Sequence, residues 1–411
     1  MSGKRRTILE QLAQEVEIPE RVRQRADMAY EQIRNGQYAA RQANDGGSRY
    51  GKAPEGRLIQ SRTERGRRRR VGRKIAVCAA AAVLTVGVIS AGAAVYRHWT
   101  RAFSQGLQVS EEQKKTLETT GMAVSYEDQT VTDQGITVSL EQSIVDNYFA
   151  YLVFKVEGYQ VEPNVQPGFE TLDVLVDGER GWSEEDQSLS FAAAGNFYDG
   201  LIMGPDGSIQ KADGSPRDQD ENGNFITDYM MEDGSLEYWV ILDSQGNKGC
   251  FLNKEIHVEM KNIGTLASAE YFPDREGQWS FDFTLTGSDE MRSLDLEAPI
   301  GDTGMTVTHV ELSPASAYIE YQCPEQNGFD AFGGVFPGLK MADGSMYPSL
   351  WLEPGIRGPV SQDSDTWVYN FSFDRILDVD QVDALLFQKP ITDDYTGTWT
   401  EEDFYVVPIE P

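Results

Sequence analysis

Residues 134–158 read QGITVSLEQSIVDNYFAYLVFKVEG. Two runs rich in β-branched and aromatic residues stand in this stretch, Gly135–Leu140 (GITVSL) and Tyr148–Val156 (YFAYLVFKV). Such side chains favour a pleated, half-buried surface, so each run predicts a strand. Further strand signals follow at Leu172–Val176 (LDVLV), Tyr238–Leu242 (YWVIL) and Trp279–Leu285 (WSFDFTL), divided by Gly, Asp, Asn and Pro clusters. Short strands between turn residues are the pattern of an antiparallel sandwich.

An internal echo extends that reading. Gly135-Ile-Thr-Val-Ser with the strand Tyr148–Phe154 is matched by Gly304-Met-Thr-Val-Thr with the strand Ala317–Tyr321. Trp279-Ser-Phe-Asp-Phe is matched by Trp367-Val-Tyr-Asn-Phe, in the same order along the chain. Alternating patterns produce chance echoes, but order and spacing together predict two tandem Ig-like antiparallel β-sandwich modules. Their bounds are 122–290 and 291–411, with the joint near Ser293–Pro299.

Upstream, residues 97–121 read as a juxtamembrane linker with a short helix. Ser110-Glu-Glu-Gln113 has the form of a capping box, and Gly121 suits the helix end. Before it, Ile75–Tyr96 (IAVCAAAAVLTVGVISAGAAVY) holds 22 residues and no charge. At about 1.5 Å per residue an α-helix of that length covers the roughly 30 Å hydrocarbon core. A buried core helix of this length normally keeps a polar face, and this run has none. It also begins too far from Met1 for a secretory signal peptide.

Charge divides at the same place. Through Lys74 the chain carries 19 basic and 9 acidic residues, and after it 17 basic and 57 acidic. Arg65, Arg67, Arg68, Arg69, Arg70, Arg73 and Lys74 crowd the N-terminal flank of the run, against Arg97 and Arg101 beyond it. The positive-inside rule then predicts a single-pass protein of the cell membrane, N-terminus cytoplasmic and C-terminal domains outside. The same arginines resemble a nuclear-localisation or nucleic-acid patch, but beside a span topology explains them more simply, so no nucleic-acid partner is expected. Gly87, Ala91 and Ala94 are small enough to let two spans pack as a homodimer.

Residues 1–36 read as a cytoplasmic helical segment and 37–74 as a flexible basic tether. Leu9, Leu12 and Val16 recur at helical spacing, Pro19 opens a second helix carrying Val22 and Ile33, and Gly36 closes it. A segment this short cannot bury its own apolar stripes, so they seek a partner groove, a second copy or the inner leaflet of the bilayer.

Catalytic signatures are scarce. His257 and His309 sit in strand-like alternation, and no GxSxG, HExxH or phosphate-binding glycine loop occurs. An enzyme is not expected. Asp218-Gln-Asp220-Glu-Asn222-Gly223-Asn224-Phe225 follows the first half of an EF-hand loop. In a calcium site Asp218, Asp220 and Asn222 would offer side-chain oxygens and Asn224 its carbonyl. Position twelve of that loop is Tyr229 rather than glutamate, and Asn-Gly equally marks a hairpin turn. Trp182, Trp239, Trp351 and Trp399 suit either sugar stacking at a cell wall or a core. Cys78 falls in the span; a bridge between Cys250 and Cys323 stays open at this point, and no zinc-binding cluster appears.

LEQLAQEVEIPERVRQRADMAYEQIRNG, the basic anchor and span, and FSQGLQVSEEQKKTLETTGMAV leading into the opening stretch resemble one bacterial family. Its members carry the extracytoplasmic domain of unknown function 4179 and occur mostly in Firmicutes. The likeness covers residues 7–36 and 75–160, and GMTVTHVELSPASAYIEY resembles the second β module often found downstream. The resemblance implies an anti-sigma factor, with an extracytoplasmic-function sigma factor held by Leu9, Leu12, Val16, Val22 and Ile33 and the outer domains sensing the envelope. The HxxxCxxC signature of zinc-binding anti-sigma factors is missing from this chain. The rival reading is a surface module that binds wall polymer or calcium, with the N-terminal segment as a plain anchor.

Overall fold

The computed structural model describes residues 99–181, 191–204, 208–267, 270–323, 337–360, 364–390 and 399–409. All of them belong to one compact unit, Ala94–Pro411. The expected cytoplasmic helices with Leu9, Leu12, Val16, Val22 and Ile33, the tether, the run 75–96 with Cys78, and Trp182 lie outside the described residues. Among the described residues no helix is long and apolar enough to cross a membrane.

The chain enters through two short helices. In α1 (Arg101–Gly106) Thr100 is the N-cap, its hydroxyl oxygen accepting from the Phe103 amide at 3.2 Å. In α2 (Glu111–Thr119) the expected capping box is present: Ser110 Oγ accepts from Gln113 N at 3.2 Å and Gln113 Oε1 accepts from Ser110 N at 2.9 Å. Gly121, at φ +76°, turns the chain out of the helix into a left-handed conformation that favours glycine.

Beyond them the described residues are mainly β, with 3-10 turns at Val379–Gln381 and Glu401–Asp403, and all strand pairing among the described residues is antiparallel. In the first module one sheet places β1 (Ala123–Ser125) and β2 (Thr130–Asp133) on β3 (Ile136–Val145), followed by β4 (Phe149–Glu157), β10 (Leu236–Asp243) and β7 (Ala192–Phe197). The facing sheet runs β12 (Glu270–Leu285), β11 (Lys254–Ala267), β5 (Gln166–Val176) and β6 (Glu179–Arg180). Between them lies a core of Val138, Leu140, Leu152, Phe154, Val240, Val258, Trp279 and Phe281. A two-stranded ribbon, β8 (Leu201–Met203) and β9 (Ile209–Lys211), stands apart.

The second module repeats this plan. One sheet runs β13 (Arg292–Pro299), β14 (Thr306–Leu312), β15 (Ser316–Gln322), β19 (Thr366–Phe373) and β18 (Trp351–Pro359). The other runs β17 (Met346–Tyr347), β16 (Gly338–Met341), β20 (Val382–Gln388) and β21 (Phe404–Pro408). Its core holds Val307, Ile319, Tyr321, Trp367, Tyr369, Phe371 and Leu385. Strand for strand, β3, β4, β10 and β7 correspond to β14, β15, β19 and β18, and β12, β11, β5 and β6 to β21, β20, β16 and β17.

The register makes the correspondence residue-specific. Asp146 N bonds Phe149 O across the β3–β4 turn, and Ser313 N bonds Ser316 O across the β14–β15 turn. Phe149 pairs with Asp243, and Ser316 with Ser372. Both hairpins carry a bulge at the same place, at Glu141 between Leu140 and Gln142 and at Thr308 between Val307 and His309. Two sequence expectations are corrected. Ser293–Pro299 is not a joint but most of β13, whose Leu294, Leu296 and Ala298 pack on the second core; the link is the preceding stretch 286–291. The Trp279 and Trp367 echoes fall on β12 and β19, which are not equivalent strands; the counterpart of β19 is β10.

Candidate functional site

In β4 and β10 alternate residues point to opposite faces, yet residues on both faces are buried. Leu152, Phe154, Val240 and Leu242 enter the first core, while Tyr151, Val153, Trp239 and Ile241 enter a third cluster. That cluster is completed by Phe103, Leu107, Leu117 and Met122 from the helical entry and by Ala315 and Ile376 from the second module. The helical entry, residues 99–122, is therefore core material of the described body.

α1 is seated closely. Phe103 is fully buried and meets the Trp239 ring edge-on at 5.3 Å, and Tyr198 stacks on the same indole at 4.9 Å. A Cβ on Gly106 would come within 2.3 Å of the Trp239 ring, so only glycine allows this approach. Trp99 donates its indole N–H to Glu118 on α2 at 2.8 Å, and Arg101 pairs with Glu232 at 2.5 Å. The segment between β7 and β10 closes over the helix end: the Met203 carbonyl accepts from Gln108 at 3.3 Å and from Arg375 of the second module at 2.9 Å. The second module has no insertion of this length between the equivalent strands β18 and β19.

Under α1 lies Glu237, only 5% exposed. It accepts the Trp239 indole N–H at 2.7 Å, and the Thr100 hydroxyl and Phe103 amide also reach it. Burial is the largest influence and outweighs these donors, lifting the carboxyl to about 7.

The two modules meet through their equivalent hairpin turns. Asp146, 1% exposed, accepts from the amides of Tyr148 and Phe149 at 2.8 Å with one oxygen. Its other oxygen accepts from the hydroxyls of Ser313 and Ser316 across the interface, the latter at 2.6 Å. The contact is reciprocal in kind. Tyr151 donates to the Ala315 carbonyl at 3.1 Å, while Tyr318, its structural equivalent, stacks flat on Tyr148 at 4.7 Å. Tyr148 in turn donates to Glu311 at 3.0 Å, where Lys248 arrives at 2.6 Å and His309 at 3.2 Å. Burial alone would raise Glu311, but Lys248, His309 and Tyr148 hold it below the usual carboxylate range. Partial burial opposes charge on His309, yet Asp295 and Glu311 raise its pKa. A cleft of about 850 Å³ opens beside the junction, lined by Ser110, Thr116, Met122, Met291 and Arg292 among others.

The residues singled out from the sequence go elsewhere. Asp218, Asp220, Asn222 and Asn224 share a hairpin closed by Gln219 and Phe225. Asp218 is turned to Lys211 at 3.0 Å. Asp220 accepts from the Asn222 and Asn224 amides at 2.8 Å and from the Asn224 side chain at 2.6 Å; led by the Asn224 bond, these hold it near 2. Among the described residues no group of three or more His, Cys, Asp or Glu side chains is placed to hold a metal ion. Cys250 packs at the first core and Cys323 in the second, and they are not bridged. His257 pairs with Asp282 across strands. Trp351 is exposed, Trp399 lies on Phe404, and Trp239 belongs to the site. α1, Glu237 and Asp146 were not expected from the sequence. The signal that carries the site is the unbroken apolar character of YFAYLVF and YWVIL, which calls for cover on both faces.

Residues 67–158 match the family described as Domain of unknown function (DUF4179), as the sequence resemblance implied. The match takes in α1, α2 and β1 to β4, the entry half of the site, and stops before Glu237. No curated protein matches the chain. The crystal structure of the conserved domain protein from Bacillus anthracis aligns with 13% identity and a TM-score of 0.37, over 66% of this chain and 78% of that one.

Proposed function

We propose that this chain is a single-pass membrane regulator, an anti-sigma factor whose cytoplasmic helices bind an extracytoplasmic-function sigma factor and whose outer sandwiches sense the envelope. The observation that supports it most is the burial of the juxtamembrane segment. Phe103, a few residues past the charge-free run, is core to the first module and packs in one cluster with Ala315 and Ile376 of the second. A change in how the modules meet therefore shifts the segment that leads to the membrane. The DUF4179 match and the basic-to-acidic change across 75–96 support the same topology.

The test uses the full chain purified from membranes. One sigma factor is expected to co-purify, and Leu12→Glu or Val22→Glu is expected to release it while membrane insertion is kept. Undiminished binding in both variants would sink the reading and favour the surface module, for which the half-exposed Phe225 on the acidic hairpin is the natural contact.

A further inference from the structure

We infer that Glu237 makes the seating of α1 proton-dependent: the juxtamembrane helix is held firmly when the outer medium is acidic and loosens as the medium passes neutrality. The inference rests on the docked geometry of α1 and stands whether or not the cytoplasmic partner is a sigma factor.

The carboxyl lies between β10 and the first turn of α1, among Trp239, Thr100 and Phe103, and is closed off from water by the helix it supports. No ion pair offsets its charge among the described residues. Lys155 on β4 is opposite it in register, but its ammonium lies 3.1 Å from Glu157 and 3.0 Å from Asp233. Arg101, on α1 itself, is taken by Glu232. From β3, Glu141 adds a like charge. After β7, Tyr198 covers Trp239, and the neighbouring Asp199 is itself raised by burial, opposed by bonds from the backbone and the charge of Arg217.

The sign follows from linkage. When α1 lifts away, Glu237 returns to water and to an ordinary glutamate pKa near 4.3. Docked, it titrates at about 7. A group whose pKa is raised in the docked state contributes fully below its undocked value, and that contribution is lost as pH rises through the docked one. Docking therefore weakens progressively from about pH 5 to beyond pH 7. The ionised form keeps three donors, so the helix loosens rather than dissociates outright.

Hydrogen exchange on the full-length protein in detergent or nanodiscs reads this directly. Protection of the α1 amides, corrected for intrinsic rates and referred to β4, is expected to fall roughly ten- to hundredfold between about pH 5.5 and about pH 8. Glu237→Gln, which keeps a neutral partner for the indole, is expected to hold the acidic level of protection throughout. Asp199→Asn is expected to leave the dependence in place. A flat wild-type profile overturns the inference, as does an undiminished slope in Glu237→Gln. Should the Gln variant not fold, wild type and Asp199→Asn together still decide: a flat wild-type profile, or a slope that Asp199→Asn abolishes, overturns the inference.

Discussion

The two modules share strand order, register and even a bulge, yet they treat the outer face of their first sheet differently. In the first module Val153, Trp239 and Ile241 face outward and are buried under α1, α2 and the turn of the second module. The register puts Glu320, Val368 and Asn370 at the same three places in the second. β4 is buried nearly throughout, whereas β15 alternates; β19 is buried almost as fully as β10, so the difference is sharpest at Val153 against Glu320. The first copy has become the seat of the entry helices α1 and α2, and the insertion between β7 and β10 closes that seat. One topology thus serves two tasks through a handful of outward residues: in the first module they hold the entry helices.

Exchanging the outward residues is the strongest way to break the comparison. Val153→Glu places an unpartnered carboxylate in a fully buried position and is expected to cost at least ~3 kcal/mol. Glu320→Val, the reverse change at the equivalent site, is expected to stay within about 1 kcal/mol, the worth of the bond that Glu320 accepts from Tyr318. Denaturant unfolding of the full chain in detergent measures both. Equal costs would mean that the outer face of the first module is not a seat.

A smaller effect tests the junction. Asp146 and Ser313 occupy equivalent turn positions, but only the first carries a carboxylate, and it holds the second module's turn. Asp146→Ala removes the acceptor of two amides and of two serine hydroxyls, which as donors keep only each other, and is expected to cost about 2–3 kcal/mol. Calorimetry of the full chain is expected to split into two transitions as the modules uncouple. A single transition with an unshifted midpoint would remove Asp146 from the interface.

Much of the framework was legible. The strands at 135–140, 148–156, 172–176, 238–242 and 279–285 all form, and the Ser110 capping box closes as expected. The GITVS and GMTVT echo lands on the equivalent strands β3 and β14, although the shared bulge and pairing align Leu140, not Val138, with Val307. A strand repeats every two residues, so a slide of two keeps every side chain on its face and escapes notice in the sequence. For the same reason Trp279 and Trp367 alternate alike on strands that are not equivalent. The site itself was less legible, because its residues acquire meaning only through docking. Glu237 reads as a solvent-facing strand residue until α1 covers it, and Asp146 reads as an ordinary turn residue until Ser313 and Ser316 meet it.

The mildest prediction concerns the charged rim of the junction, where His309 and Glu311 of the second module face Lys248 and Tyr148 of the first. His309 is raised, so its contribution is complete below its unfolded pKa near 6.5 and is lost as pH rises through the folded value. Glu311 is depressed, so its contribution is present above an unfolded pKa near 4.3 and is lost as pH falls through the folded value. Together they favour the junction between about pH 4.5 and about pH 6.5. Because the cluster is partly open to solvent, the effect is expected to be about 0.5–1 kcal/mol. Glu237 weakens the body in the same alkaline direction, so the two must be separated by substitution. In a Glu237→Gln background, the remaining alkaline loss in thermal stability is expected to vanish on adding His309→Gln. If it persists, the pH dependence of the junction lies outside this cluster, and the hold of one module on the other rests on the turns, the shared apolar cluster and the Arg375–Met203 bond.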